Sequence, residues 1–208
     1  MKNPAKKLKI VGLGASMTAG TPGFFSPRER PPAGEGNPES QYAYWMMKKH
    51  PEWEVLNRGM RGQRTDQILM RFGYDVLDNH PHWVILLAGT NDLYQGRSIV
   101  TALENLKEMI RRANEAGIRT AVCTLPPLGL GSAEVKRAIL NYNESIRREA
   151  ARRGAILCDV YPLMENPRRQ GFLESSPDDV HPDPAGYRKL GEFLALRIEE
   201  AEKINPTF

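Results

Sequence analysis

Cysteine is nearly absent from this chain, with two in 208 residues. Cys123 and Cys158 sit in apolar segments, residues 120–123 and 155–158, where a thiol behaves as a small buried hydrophobe. Neither belongs to a C-x-x-C pair or has a histidine at ligand spacing, so no disulfide framework and no metal site are expected. Long apolar runs are missing too. The stretch Trp83-Val84-Ile85-Leu86-Leu87-Ala88 falls far short of the roughly 18 residues a membrane span requires, which excludes a spanning helix. The N-terminal residues 1–9 are basic but lead into a strand-like segment, with no apolar core or cleavage site of a secretory leader. A cytoplasmic location is expected. The net charge of +4 is spread over helix candidates and interleaved with glutamate, as in Arg147-Arg148-Glu149. That is a solvated helix face, and no nucleic-acid partner is expected. No Gly-Lys-Ser/Thr follows Gly14 or the Gly129-Leu130-Gly131 loop, which excludes a phosphate-binding P-loop. Gly12 and Gly14 begin a dinucleotide fingerprint, but its third position is Met17, not glycine or alanine. No cofactor is expected.

What the chain does contain is an alternation of short apolar runs with longer amphipathic ones, the pattern of an α/β protein whose parallel sheet is covered by helices on both faces. The length suits one domain over residues 1–208. Strands are predicted at residues 9–14, 53–58, 82–89, 119–124 and 155–160, and helices at 40–50, 65–79, 98–116, 132–153 and 184–203. Thr65-Asp66 and Ser132-Ala133-Glu134 supply N-cap oxygens and early acidic residues, while Gly117 and Gly154 close helices. Ile99, Leu103, Leu106, Met109, Ile110 and Ala113 recur at helical spacing as a core stripe. One segment has no period: residues 20–38 hold five prolines, four glycines and the pair Phe24-Phe25. So long a loop, starting four residues after Ser16, is expected to border a binding site. Its aromatics, taken as exposed, would serve a substrate or a subunit contact, and the oligomeric state stays open.

Open parallel sheets bind ligands beyond the carboxyl ends of their strands, so the residues just after each strand are the informative ones. These are Gly14-Ala15-Ser16 after the first, Asn57-Arg58-Gly59 after the second, Gly89-Thr90-Asn91-Asp92 after the third, and Asp178-Asp179-Val180-His181-Pro182 near the C-terminus. Ser16 is a hydroxyl at a small-residue strand-to-helix turn, where backbone N–H groups can face a developing oxyanion. A serine needs a base, and the base needs an acceptor that fixes its tautomer. His181 and Asp178 supply both, because a carboxylate three residues before a histidine on a proline-punctuated loop can fold back onto the ring. Asp179 has the wrong offset and is expected to be solvated or capping; Thr90 and Asp92 are expected to be structural. His50, His80 and His82 precede strands and so belong to the opposite end of the sheet.

In this order the four blocks resemble the SGNH, or GDSL-type, hydrolase family, and the match runs from Gly14 to Pro182. The resemblance implies a flavodoxin-like three-layer fold with a five-stranded parallel sheet. It implies Ser16 as nucleophile, His181 as general base and acid, Asp178 as orienter, and an oxyanion hole from the Ser16 and Gly59 N–H groups and the Asn91 amide. Ala15 departs from the family's usual Gly-Asp-Ser, which removes a side chain that would brace the turn. The expected partner is a small-molecule ester carrying a short acyl or acetyl group, since no long apolar lid is evident. Acetylated carbohydrates, thioesters and lysophospholipids are the alternatives on the same site. A non-catalytic binding module on this fold is the rival outside catalysis, with Ala15 as its argument.

Overall fold

The computed structural model describes residues 7–204; the start of the basic N-terminal segment, residues 1–6, lies outside the described residues. The chain begins with β1 (Lys9–Gly14) and a one-turn α1 (Ser16–Ala19), then a two-residue hairpin of β2 (Phe24–Phe25) and β3 (Glu35–Gly36). There follow α2 (Tyr42–Lys49), β4 (Glu54–Gly59), α3 (Thr65–Met70), α4 (Phe72–Asp75), β5 (Trp83–Leu87), α5 (Thr90–Tyr94), α6 (Ile99–Glu115), β6 (Arg119–Cys123) and α7 (Ala133–Arg152). The chain ends with β7 (Ile156–Cys158), α8 (Val160–Met164), the hairpin β8 (Glu165–Asn166) and β9 (Arg169–Leu173), and α9 (Pro184–Ile204).

Five strands form one parallel sheet in the order β4-β1-β5-β6-β7. This is the α/β architecture and strand count expected from the sequence. Every residue of β5 is buried, as a central parallel strand requires. Two helical groups cover the sheet: α2 packs with α9, and α6 packs with α3 and α7. After β1 the chain first goes to one side, to β4, and then returns across to β5 on the other. The switch point therefore lies between β1 and β5, which opens a crevice at their carboxyl ends. Gly14 sits opposite both Gly59 and Leu87 there, so three turns leave the sheet side by side.

The helix expected over residues 65–79 is broken into α3, α4 and a 3-10 turn (Leu77–Asn79). Arg71 stands at the first break with φ −97° and ψ 6°, its side chain drawn away to strand-end carbonyls. Gly73 two residues on lowers the helical preference further. The helix expected from residue 40 begins at Tyr42, behind a 3-10 turn (Pro38–Ser40) capped by Asn37. Thr65 is the first helical residue and not the N-cap, and its hydroxyl serves Asp92 instead. Ser132 does cap α7, accepting the Val135 N–H. On α6, Leu106, Met109, Ile110 and Ala113 are buried; Ala102 takes the place expected of Ile99 and Leu103, which are only half-buried. Cys123 and Cys158 face each other across β6 and β7, both free and buried. The neighbouring Cys158 thiol and burial together push the Cys123 thiol well above its ordinary value, so it stays protonated and inert.

Candidate active site

β1 delivers the chain to Ala15, whose φ of −102° and ψ of −136° turn it sharply into α1. Ser16 opens that helix, so its N–H has no carbonyl of the same helix to serve. Across the crevice, the segment between β9 and α9 folds around Asp178. One carboxylate oxygen accepts the N–H groups of Val180 (2.9 Å) and His181 (2.7 Å), and the other meets His181 Nδ1 at 2.8 Å. The Ser176 hydroxyl donates to the His181 carbonyl at 2.6 Å and fixes the same loop. His181 Nε2 then lies 3.0 Å from Ser16 Oγ. Partial burial raises the Asp178 carboxyl, but the hydrogen bonds from the His181 ring and from two backbone N–H groups outweigh it and hold the group below its ordinary value. Asp178 is therefore an anion beside the imidazole. Asp179 takes a left-handed conformation (φ 57°), pairs with Arg169 at 3.2 Å and accepts the Gly129 N–H at 2.7 Å, so it is tied down and not simply solvated.

Asn91, at the start of α5, donates one amide N–H to the Gln63 carbonyl at 2.9 Å, and the residue lines the same cavity as Ser16. Asp92 is buried and accepts both the N–H (2.9 Å) and the hydroxyl (2.6 Å) of Thr65, locking α5 to α3. Burial raises its carboxyl, against the opposing Thr65 hydrogen bonds. Gly59 is not where the resemblance implies. Its N–H donates to Asn57 Oδ1 at 3.0 Å, its carbonyl accepts from Ser26 Oγ at 2.6 Å, and a Cβ there would collide with the Ala19 backbone. Gly59 is a packing glycine beneath α1. Three residues later Gly62, at φ 73°, lines the cavity instead.

That cavity has a volume of about 410 Å³. Ser16, His181, Asn91 and Gly62 border it, and much of its remaining wall is apolar: Met17, Leu87, Pro126, Leu128, Leu130 and Val180. The segment after β6, residues 125–130, supplies most of this surface. Its Pro-Pro-Leu-Gly-Leu sequence reads as an ordinary loop, with no pattern that marks it as a binding wall. The 20–38 excursion reaches the cavity only through Thr21. Its main work is on the turn after β4: Glu29 accepts the Arg61 N–H at 2.8 Å, the Phe24 carbonyl accepts from the Arg61 guanidinium at 2.8 Å, and that guanidinium stacks on Phe25 at 3.7 Å. Phe24 is buried and Phe25 half-covered, so neither is the exposed aromatic expected from sequence.

His82 and His50 lie at the other end of the sheet, where His82 Nδ1 accepts the Lys9 N–H and His50 stacks on Trp53. Among the described residues no three His, Cys, Asp or Glu side chains gather as metal ligands, and no helix is long and apolar enough to cross a membrane.

The α/β sheet is the fold of solved proteins of the G-D-S-L family. Residues 13–189 match the GDSL-like Lipase/Acylhydrolase family, and the chain belongs to that family. A protein of the G-D-S-L family from Desulfitobacterium hafniense superposes with a TM-score of 0.76 at 23% identity, covering 91% of this chain and 99% of the other. An acetylxylan esterase from Geobacillus stearothermophilus gives 0.75 at 19% identity, with 94% and 95% covered. In sequence, a multidomain esterase from Ruminococcus flavefaciens is 25% identical over 69% of this chain, and an uncharacterized lipoprotein of Bacillus subtilis is 33% identical over 39% of it. The matched segments make up 19% and 36% of the lengths of those two relatives.

Proposed function

We propose that Ser16 attacks the carbonyl of a carboxylic ester and forms an acyl-enzyme that water then hydrolyses. His181 Nε2 takes the Ser16 proton and returns it to the leaving alcohol, then repeats the exchange with water. Asp178 holds the ring with its proton on Nδ1 and stabilises the imidazolium. The N–H groups of Ser16 and Gly62 and the free amide N–H of Asn91 receive the oxyanion, with Gly62 in the place the family resemblance gives to Gly59. The observation that carries this is the continuous relay from Asp178 through His181 to Ser16, at 2.8 and 3.0 Å, ending in a cavity.

For the acyl group, the apolar wall from Pro126 to Leu130 favours short to medium chains over acetyl alone. Each methylene buried against it contributes about 0.8 kcal/mol, roughly a fourfold gain in kcat/KM per carbon until the cavity is full. The test is hydrolysis of p-nitrophenyl esters from acetate to decanoate by the wild type and Ser16→Ala at pH 5 to 9, together with fluorophosphonate labelling. Labelled wild type, an inert Ser16→Ala and a maximum beyond acetate are expected. Equal rates in both proteins would return the chain to a binding role, and a steady decline from acetate would remove the apolar wall from substrate recognition.

A further inference from the structure

We propose that Arg71, outside the reacting groups, is a positioning residue that holds the oxyanion donors in one frame; this rests on the ester-hydrolase mechanism above. Its guanidinium lies under the crevice, with the side chain about one-tenth exposed, and uses four of its five N–H groups within the protein. Nη2 donates to the Gly14 carbonyl at 2.8 Å, two residues before Ser16. Nη1 donates to the Arg58 carbonyl at 2.7 Å, at the root of the turn that carries Gly62, and also to Asp75. Nε donates to the Gln63 side-chain oxygen at 2.7 Å, and the backbone carbonyl of Gln63 is the one that accepts from Asn91. One planar fork thus holds the Ser16 and Gly62 segments directly and reaches Asn91 through Gln63.

A counter-ion lies below. Asp75 is fully buried, pairs with Arg71 through one oxygen and lies 3.1 Å from Arg28 through the other. Asp75 thereby offsets part of this positive charge and leaves Arg71 the hydrogens that serve the Gly14 and Arg58 carbonyls. A lysine keeps the ion pair but concentrates its donors at one point, and it cannot span these acceptors. Oxyanion donors act in the transition state, so loosening the frame lowers kcat and leaves ground-state binding alone.

The experiment is a double-mutant cycle of Arg71→Lys with Asn91→Ala, read as kcat and KM, with melting temperature alongside and Ser16→Ala as the reference. Arg71→Lys is expected to lower kcat by about tenfold or more with KM within about threefold. Because both changes act on one donor set, the double variant should lose less than the product of the single losses. If Arg71→Lys does not fold, Gln63→Met takes its place, since it cuts the Nε contact but keeps the backbone carbonyl that holds Asn91. Unchanged kcat in the variant that folds, or losses that multiply in full, overturns the assignment. Turnover surviving in Ser16→Ala would instead sink the mechanism itself, whatever Arg71 does.

Discussion

Replacing Asp178 by asparagine isolates what its second oxygen does. The carboxylate accepts three N–H groups: two from the backbone of Val180 and His181 on one oxygen, and the ring Nδ1–H on the other. Asparagine has a single acceptor oxygen. Turned toward the backbone it keeps two hydrogen bonds; turned toward the ring it keeps one and sets its NH₂ against two donors, at about 1–3 kcal/mol for each bond left unmade. The first orientation wins, and it points NH₂ at His181 Nδ1. The ring then carries its proton on Nε2, 3.0 Å from Ser16 Oγ, where it cannot accept the serine proton. A wrong tautomer of this kind costs about 10⁴ in kcat, or ~5.5 kcal/mol of barrier. Asp178→Ala leaves the ring free to take either tautomer and should lose less. Steady-state hydrolysis of p-nitrophenyl butyrate at pH 8 gives kcat and KM for both variants, and near-native melting temperatures certify the fold. An asparagine variant within about tenfold of wild type, or one faster than the alanine variant, refutes the tautomer argument.

Asn91→Ala removes one donor from the oxyanion and should cost roughly 10²- to 10³-fold in kcat at nearly constant KM; unchanged turnover in the purified variant would free Asn91 from that role. The folded-state pKa of Asp178 is depressed. Its contribution to stability is therefore present above the unfolded value of about 3.9 and lost as pH falls through the folded value. Urea melts should show wild type and Asp178→Ala further apart at pH 7 than at pH 3, by a small margin because the side chain is 40% exposed and screened. A gap that widens toward pH 3 contradicts that sign.

The sheet was legible because its strands are short apolar runs bounded by turn residues, and pattern alone places such runs within a residue or two. The Asp178–His181 contact was legible for a different reason: the two lie three residues apart, so it is local chemistry written in the chain. The second glycine was not. Gly59 and Gly62 flank one turn, and which N–H is free depends on Asn57, whose side chain takes the Gly59 proton while its amide holds Ala19 and Gln41. That choice is made by tertiary packing. The same holds for the break at Arg71, where carbonyls from β1 and β4 outcompete helical continuity, and for residues 125–130, whose apolar side chains gain meaning only once β6 delivers them to the cavity.

Ala15 tests whether a missing bracing side chain matters when backbone contacts can do the bracing. No side chain caps α1, yet the turn is held from several sides. The Gly14 carbonyl accepts from Met60 N–H (3.2 Å) and from Arg71, and Gly14 is packed so tightly against Thr18 and the Leu87 carbonyl that a Cβ has no room. Thr18 is fixed in turn by the Tyr42 hydroxyl at 3.4 Å. An aspartate at position 15 would add an N-cap bond worth about 1 kcal/mol to a turn already constrained. Ala15→Asp should therefore raise the melting temperature slightly and change kcat by less than about tenfold, since the donors it would steady are already fixed. A gain of a hundredfold would mean that Gly14 and Arg71 leave the nucleophile turn loose, and that the alanine limits catalysis in this chain.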